Sequence, residues 1–274
     1  MLMLPGDASN QEIEELREQL GFNDPLYVQY ARFAIKAVQG DFGESLYYHV
    51  PVMELIIERL PASLELAVSA MIFALVLAIP LGILSAVKRG SMVDMGSMFG
   101  ALLGISMPHF WLGIMMMLLF SIHLGWLPTS GRGTFAHLIM PAISLGLSLM
   151  AMFARLTRSV MLEVLSLDYI RTARAKGLKE QVIIYKHALR NALIPLVTVA
   201  GMQFGFLIGG TVIIETVFAW PGLGRLVIQA IFGRDYPLVQ GIVFVFSVIF
   251  VGTNLLVDIL YVYLDPQISY HEEK

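Results

Sequence analysis

Residues Ser159–Asn191 read S-V-M-L-E-V-L-S-L-D-Y-I-R-T-A-R-A-K-G-L-K-E-Q-V-I-I-Y-K-H-A-L-R-N. This charged island separates two apolar runs of membrane length. It holds Arg171, Arg174, Lys176, Lys179, Lys186 and Arg190, six of the chain's 18 lysines and arginines. A basic connection between two spans fixes orientation, because loops rich in Lys and Arg stay on the cytoplasmic side. The island is also longer and more patterned than a connector needs, which marks it as a docking surface.

The rest of the chain supports a membrane setting. Of its 274 residues 57% are hydrophobic and 14% charged, with a mean hydropathy of +0.73, whereas a soluble domain carries about 25% charged residues. Five stretches contain no Asp, Glu, Lys or Arg: Leu66–Val87, Met95–Gly131, Gly133–Ala154, Asn191–Ile214 and Tyr236–Val257. Each supplies the roughly 20 residues that a helix needs to cross about 30 Å of hydrocarbon. None alternates with the two-residue period of a membrane strand. The expected fold class is therefore an all-α polytopic membrane protein with five visible spans. A net charge of −3 gives no footing for a nucleic-acid partner, and the absence of cysteine excludes disulfides and thiol chemistry.

Residues 1–61 are polar and amphipathic. Helices are expected at Gln11–Leu20, Tyr27–Val38 and Val52–Leu60, the last stopped by Pro61, with a turn at Gly40–Gly43. The transmembrane domain is expected over 62–274. With the island inside, the inner side holds Lys88, Arg89, Arg155, Arg158 and the island's six cations, against Arg132, Arg225 and Arg234 outside. That places the C-terminus in the cytoplasm and residues 1–61 outside. A polar leader needs a means of export: either it crosses unaided or a first helix lies upstream, and the expectation is the helix, with Met1–Leu4 as its last residues.

Within the island, Ser166 is expected to cap a helix at Leu167–Lys176, with Asp168 favourable in its first turn and Gly177 as its stop. A second helix, Lys179–Asn191, would align Val182, Tyr185, Leu189 and Ala192 on one face, and Pro195 would open the next span. Two readings fit such a pair: a plug for a groove on a partner protein, or an interfacial pair lying on anionic headgroups.

The motif D-Y-I-R-T-A-R-A-K-G-L followed by H-A-L-R-N-A-L-I-P resembles the cytoplasmic coupling loop of ATP-binding-cassette importer permeases, in particular the dipeptide, oligopeptide, glutathione and nickel branch. The likeness extends through Trp126–Thr129, Phe218–Leu226 (F-A-W-P-G-L-G-R-L), Arg234–Gly241 (R-D-Y-P-L-V-Q-G), Asn254–Tyr261, Leu4–Asp7 and Gln39–Gly43. It covers essentially the whole chain. Where the general importer pattern has Glu-Ala-Ala, this chain has Arg171-Thr172-Ala173 with Gly177 retained, the form that this branch resembles. Relatives begin with a membrane helix before L-P-G-D and have six spans.

The resemblance implies a transport subunit, not an enzyme, in a bacterial or archaeal cytoplasmic membrane. It implies a second homologous permease, two cytoplasmic ATP-binding subunits and an external substrate-binding protein. ATP and Mg would bind the partner subunits; consistently, the sequence contains no G-x-x-x-x-G-K-[ST] loop. Asp168, Tyr169, Arg171, Arg174, Gly177 and Leu189 are the expected coupling residues. Residues 6–60 and the loop Glu215–Pro237 would form the face that meets the binding protein.

A translocation path is expected near Ser106 and Pro108, where proline breaks a helix, with Gln203 across from them. A purely structural kink is the simpler alternative. His109, His123 and His137 raise a metal site, but no i, i+4 pairing supports one. Asn254 and Asp258, one turn apart, fit a water-reaching pair better than a proton path. A membrane enzyme would need a nucleophile–base or metal motif that is not found. A secondary transporter would bring paired repeats with interrupted helices. Peptides are the favoured cargo, with nickel or a metal chelate the alternative within the same branch.

Overall fold

The computed structural model describes residues 23–264. The helix expected at Gln11–Leu20 and the motif Leu4–Asp7 lie outside them. The described residues are helical apart from turns and one isolated bridge, Glu44 to Pro51. In order they form α1 (Leu26–Val38), α2 (Val52–Val87), α3 (Met92–Ser106), α4 (His109–His123), α5 (Phe135–Leu165), α6 (Asp168–Ala175), α7 (Glu180–Gly210), α8 (Val212–Val217), α9 (Leu223–Phe232) and α10 (Tyr236–Leu264). Four of these helices are long and apolar enough to cross a membrane, or five if α3 and α4, bent by 98° at their break, are counted as one broken span. Each of the five uncharged stretches overlaps one of these helices or the α3–α4 pair.

Two boundaries differ from expectation. Pro61 does not stop a helix: α2 runs unbroken through Pro61 and Pro80. Each proline removes one ladder hydrogen bond without ending a membrane helix, and Ala62, Ser63 and Leu66 beside Pro61 are fully buried. Glu215–Pro237 is not a plain loop: it begins within α8, contains α9 and reaches the start of α10. By contrast, Pro108 does break its helix. The residue before a proline avoids helical ψ; Met107 is extended at ψ 127°, and Pro108 opens α4.

The described residues divide into two compact units. One runs to Leu60 and includes Leu226–Val245; the other is Pro61–Arg225 with the residues from Phe246 onward. In the first, Gly40 and Gly43 take φ values of 76° and 77°, so the Gln39–Gly43 motif turns where glycine is required. The turn seats Phe42 between Phe33 and Phe244, with ring centroids 6.5 and 5.4 Å away. Gly241 leaves room there, since a Cβ would sit 2.6 Å from Val52 Cγ1. Asp235 is buried, accepts hydrogen bonds from the Ser45 hydroxyl and the Tyr47 amide, and caps α10 at the Leu238 amide.

In the second unit α2 and α5 pack through small residues. Ala67, Ala70, Ala74 and Ala78 form a buried stripe at helical spacing, which lets backbones approach where lipid gives no hydrophobic drive. A Cβ on Gly146 would lie 2.7 Å from the Ala70 carbonyl oxygen, and one on Gly82 2.7 Å from that of Ala154. On α7, Gly201 and Gly205 do the same for Val257 and Phe250 of α10. Leu66, Leu145, Phe153, Leu196 and Trp220 fill the common core.

Candidate functional site

The island folds as a hairpin between two long helices. Helix α5 continues into it as far as Leu165, and α7 begins at Glu180, leaving α6 and its turns between them. Ser166 does not cap α6. Its hydroxyl donates instead to the Glu163 carbonyl at the end of α5, and Leu167 stands at the N-cap without a side-chain bond. A serine near a helix terminus can serve either backbone, and here the orphan carbonyls of α5 win. Gly177 has φ 76° and its N–H closes onto the Arg174 carbonyl, the left-handed stop that glycine adopts freely.

Helix α6 is amphipathic. Ile170 and Ala173 are buried against Ile83 and Ala86 of α2, Met161 and Val164 of α5, and the start of α7. Its other face is exposed. There Asp168 and Arg171 pair at 3.2 Å with both side chains in the open, an interaction of ~0–1 kcal/mol. Arg174 grips Glu180 with two bonds, Nη2–Oε1 at 2.7 Å and Nε–Oε2 at 3.3 Å, across the Gly177 turn. The Glu180 carboxylate raises the Arg174 guanidinium above its ordinary pKa through that bond. The Asn191 amide donates to the Tyr169 hydroxyl at 2.6 Å, a second tie between α6 and α7.

The second island helix is not separate from the following span. It enters α7 through a π-turn at Ile183–Ala188, and Pro195 lies inside the helix. A π-turn adds a residue to one turn and shifts the register that follows. Hence Ile183, Ile184, Ala188 and Ala192 are buried, while Tyr185 is exposed and Val182 and Leu189 are only partly covered. The expected face of Val182, Tyr185, Leu189 and Ala192 is therefore split, and Leu189 packs on the inner cluster instead of standing free.

Two buried carboxylates organise the surroundings, and sequence reasoning passed over both. Asp94 accepts from Arg158 at 2.6 and 2.8 Å, from the Gly90 amide at 2.9 Å and from the Ser85 hydroxyl. This knot ties the α2–α3 turn to α5. Its signal was legible: Ser91 followed three residues later by an acid, at the head of an apolar helix. Glu215 is wholly buried. It accepts from Ser63 at 2.6 Å, Thr211 at 2.9 Å and the Arg225 amide at 2.9 Å. The Trp220 indole donates to the Ala62 carbonyl at 2.8 Å. Gly222 lies so close that a Cβ would sit 2.5 Å from the Glu215 carboxylate. The spacing of F-A-W-P-G-L-G-R is thus the lining of one acid.

A cavity of ≈ 490 Å³ opens where the α3–α4 break, α5 and α7 meet. Gln203 lines it, as do His109, Ser148 and Arg155, against an apolar wall that includes Leu149 and Phe206. Ser106 and Pro108 are not among its lining residues: the Ser106 hydroxyl bonds the Leu102 carbonyl, and Pro108 caps α4. Their break nevertheless delivers His109, whose Nδ1 lies 3.3 Å from the Ser144 carbonyl and 3.4 Å from the Ser148 hydroxyl. His137 belongs to the capping box of α5 with Thr134. Among the described residues no three His, Asp or Glu side chains converge as metal ligands.

Comparison with known proteins places this arrangement. Residues 78–270 match the family model described as binding-protein-dependent transport system inner membrane component. The dipeptide transport system permease protein DppB of Alkalihalophilus pseudofirmus is 47% identical, over 98% of this chain and 89% of the relative. The glutathione transport system permease protein GsiC of Escherichia coli K12 is 46% identical, over 98% and 90%. Among solved structures, an inward-facing MetNI methionine ABC transporter chain aligns with a TM-score of 0.66 at 20% identity, over 78% of this chain and 97% of that one. An amino acid ABC transporter solved with histidines aligns at 0.54 and 14%. The two structures share the fold.

Proposed function

Because the chain belongs to the family of binding-protein-dependent transport system inner membrane components, we propose that it is the permease subunit of an ATP-driven importer that passes small peptides, dipeptides or glutathione, across a bacterial or archaeal cytoplasmic membrane. The peptide assignment draws on the names of the relatives at 46–47% identity. The chain supplies the path, while ATP and Mg bind on separate subunits. The complete machine joins it to a second homologous permease, two ATP-binding subunits and an external binding protein.

The observation that carries this reading is the build of α6. Its inner face is wedged against the ends of α2, α5 and α7, and its polar face is uncovered. A push on that exposed face therefore moves three long helices together, which is the mechanical requirement for converting ATPase closure into alternating access. In this reading the hairpin and the C-terminus face the cytoplasm, and residues 1–61 lie outside. Asp168, Tyr169, Arg171 and Arg174 meet or shape the contact with the ATPase. Gly177 sets the turn, and Leu189 supports it from within. Ser106 and Pro108 shape the path by breaking the span, and Gln203 lines it.

The test is reconstitution of the chain with its partner subunits in liposomes, with labelled dipeptide or glutathione and the binding protein on one side. Uptake should require both ATP and the binding protein. Uptake driven by an ion gradient without ATP would replace this reading with a secondary transporter.

A further inference from the structure

Arg155 stands within α5, ten residues before its end at Leu165, so it lies roughly 15 Å along the helix from that terminus. Its side chain is exposed and borders the cavity between the α3–α4 break, α5 and α7. Arg158, one turn on, has Asp94. No ion pair or hydrogen bond engages the Arg155 guanidinium among the described residues, and the cavity that it lines contains no acidic side chain. The other polar groups of that cavity also have capacity to spare. The Gln203 amide donates only to the Met152 thioether, at 3.7 Å. Ser148 has only the long contact to His109.

We propose that this cavity is a carboxylate site, in which Arg155 anchors a free carboxylate of the transported peptide, with Gln203 and Ser148 as further hydrogen-bond donors. The inference rests on the peptide-importer reading and deepens it. A guanidinium offers a carboxylate two parallel bonds. The volume of ≈ 490 Å³ falls in the range of small-ligand cavities, about 300–1,000 Å³. One cation without a neighbouring anion selects a ligand with an acidic end over a neutral or cationic one. Binding here would be a second selection, made by the path itself after delivery.

The test uses the cysteine-free sequence. Ser148→Cys places one thiol of this chain at the cavity wall, in the fully assembled transporter with a cysteine-free set of partners. Its labelling rate is measured with an anionic sulfonate and a cationic ammonium thiosulfonate of similar size. The anionic reagent should react faster. Adding Arg155→Gln should cut the anion-to-cation rate ratio by about tenfold, and Arg155→Lys, which keeps the charge, should retain most of it. Free-carboxylate dipeptide, and not its C-terminal amide, should slow labelling in the parent and lose that effect with Arg155→Gln.

A rate ratio indifferent to Arg155→Gln would overturn the proposal, as would a thiol inert to both reagents or equal protection by peptide and amide. Because labelling needs no ATP, failure of this site is read separately from failure of the importer reading, which the uptake assay decides.

Discussion

The Arg158 guanidinium meets the Asp94 carboxylate side-on, with Nε–Oδ1 at 2.6 Å and Nη2–Oδ2 at 2.8 Å. This bidentate pair joins residues 64 apart in the chain and fixes the α2–α3 turn to α5. Removing one partner strands the other, whereas removing both need not. Asp94→Ala should therefore lower the melting temperature of the detergent-purified chain by several degrees. The double variant Asp94→Ala/Arg158→Leu should recover part of that loss. Equal melting of the parent and Asp94→Ala would show that the pair holds nothing.

Glu215 offers a second structural test. Replacing it by alanine leaves Ser63 and the Arg225 amide without their buried acceptor, at about 1–3 kcal/mol for each orphaned group, while the Thr211 hydroxyl keeps the Ile208 carbonyl. Gly222→Ala pushes a methyl group into the same carboxylate. Both variants should unfold earlier than the parent in a fluorescence-monitored thermal ramp, with Glu215→Ala the worse of the two.

The α2–α5 contact predicts a sharp split among glycines. Gly82→Ala and Gly146→Ala each drive a Cβ to 2.7 Å from a facing backbone carbonyl, which cannot yield without parting the helices. Gly96→Ala and Gly100→Ala meet nothing within 4 Å and gain helix propensity of up to about 1 kcal/mol each. Size-exclusion profiles after mild heating should show the first pair aggregating and the second pair unchanged or improved.

At the hairpin, packing should outweigh charge. Ile170→Ala empties a fully buried site at a cost of ~2–4 kcal/mol, and Gly177→Ala imposes left-handed strain of about 1–2 kcal/mol. Arg174→Ala breaks an exposed pair, 45% and 52% accessible, worth ~0–1 kcal/mol. In the reconstituted transporter Ile170→Ala should keep ATP hydrolysis while uptake falls several-fold, because α6 would move without carrying α2 and α5. Parallel loss of hydrolysis and uptake would argue against that transmission.

Much of this protein was determined by the sequence alone, because the deciding interactions are local. Uncharged stretches of membrane length become helices since a helix satisfies every backbone group within one segment in hydrocarbon. Gly177 stops α6 and Pro108 breaks the second span through the conformational rules of single residues. Other features depend on what stands opposite in three dimensions. Pro61 lies within a helix whose neighbouring residues are buried, the π-turn at Ile183–Ala188 rotates the buried face of α7, and Ser166 serves the helix behind it. Glu215 finds Ser63 across 152 residues, and Arg155, counted from the sequence as a topological charge, comes to line a cavity with no acid. Periodicity and backbone chemistry write themselves in neighbouring residues, while the pairing of buried polar groups is decided only when distant helices pack.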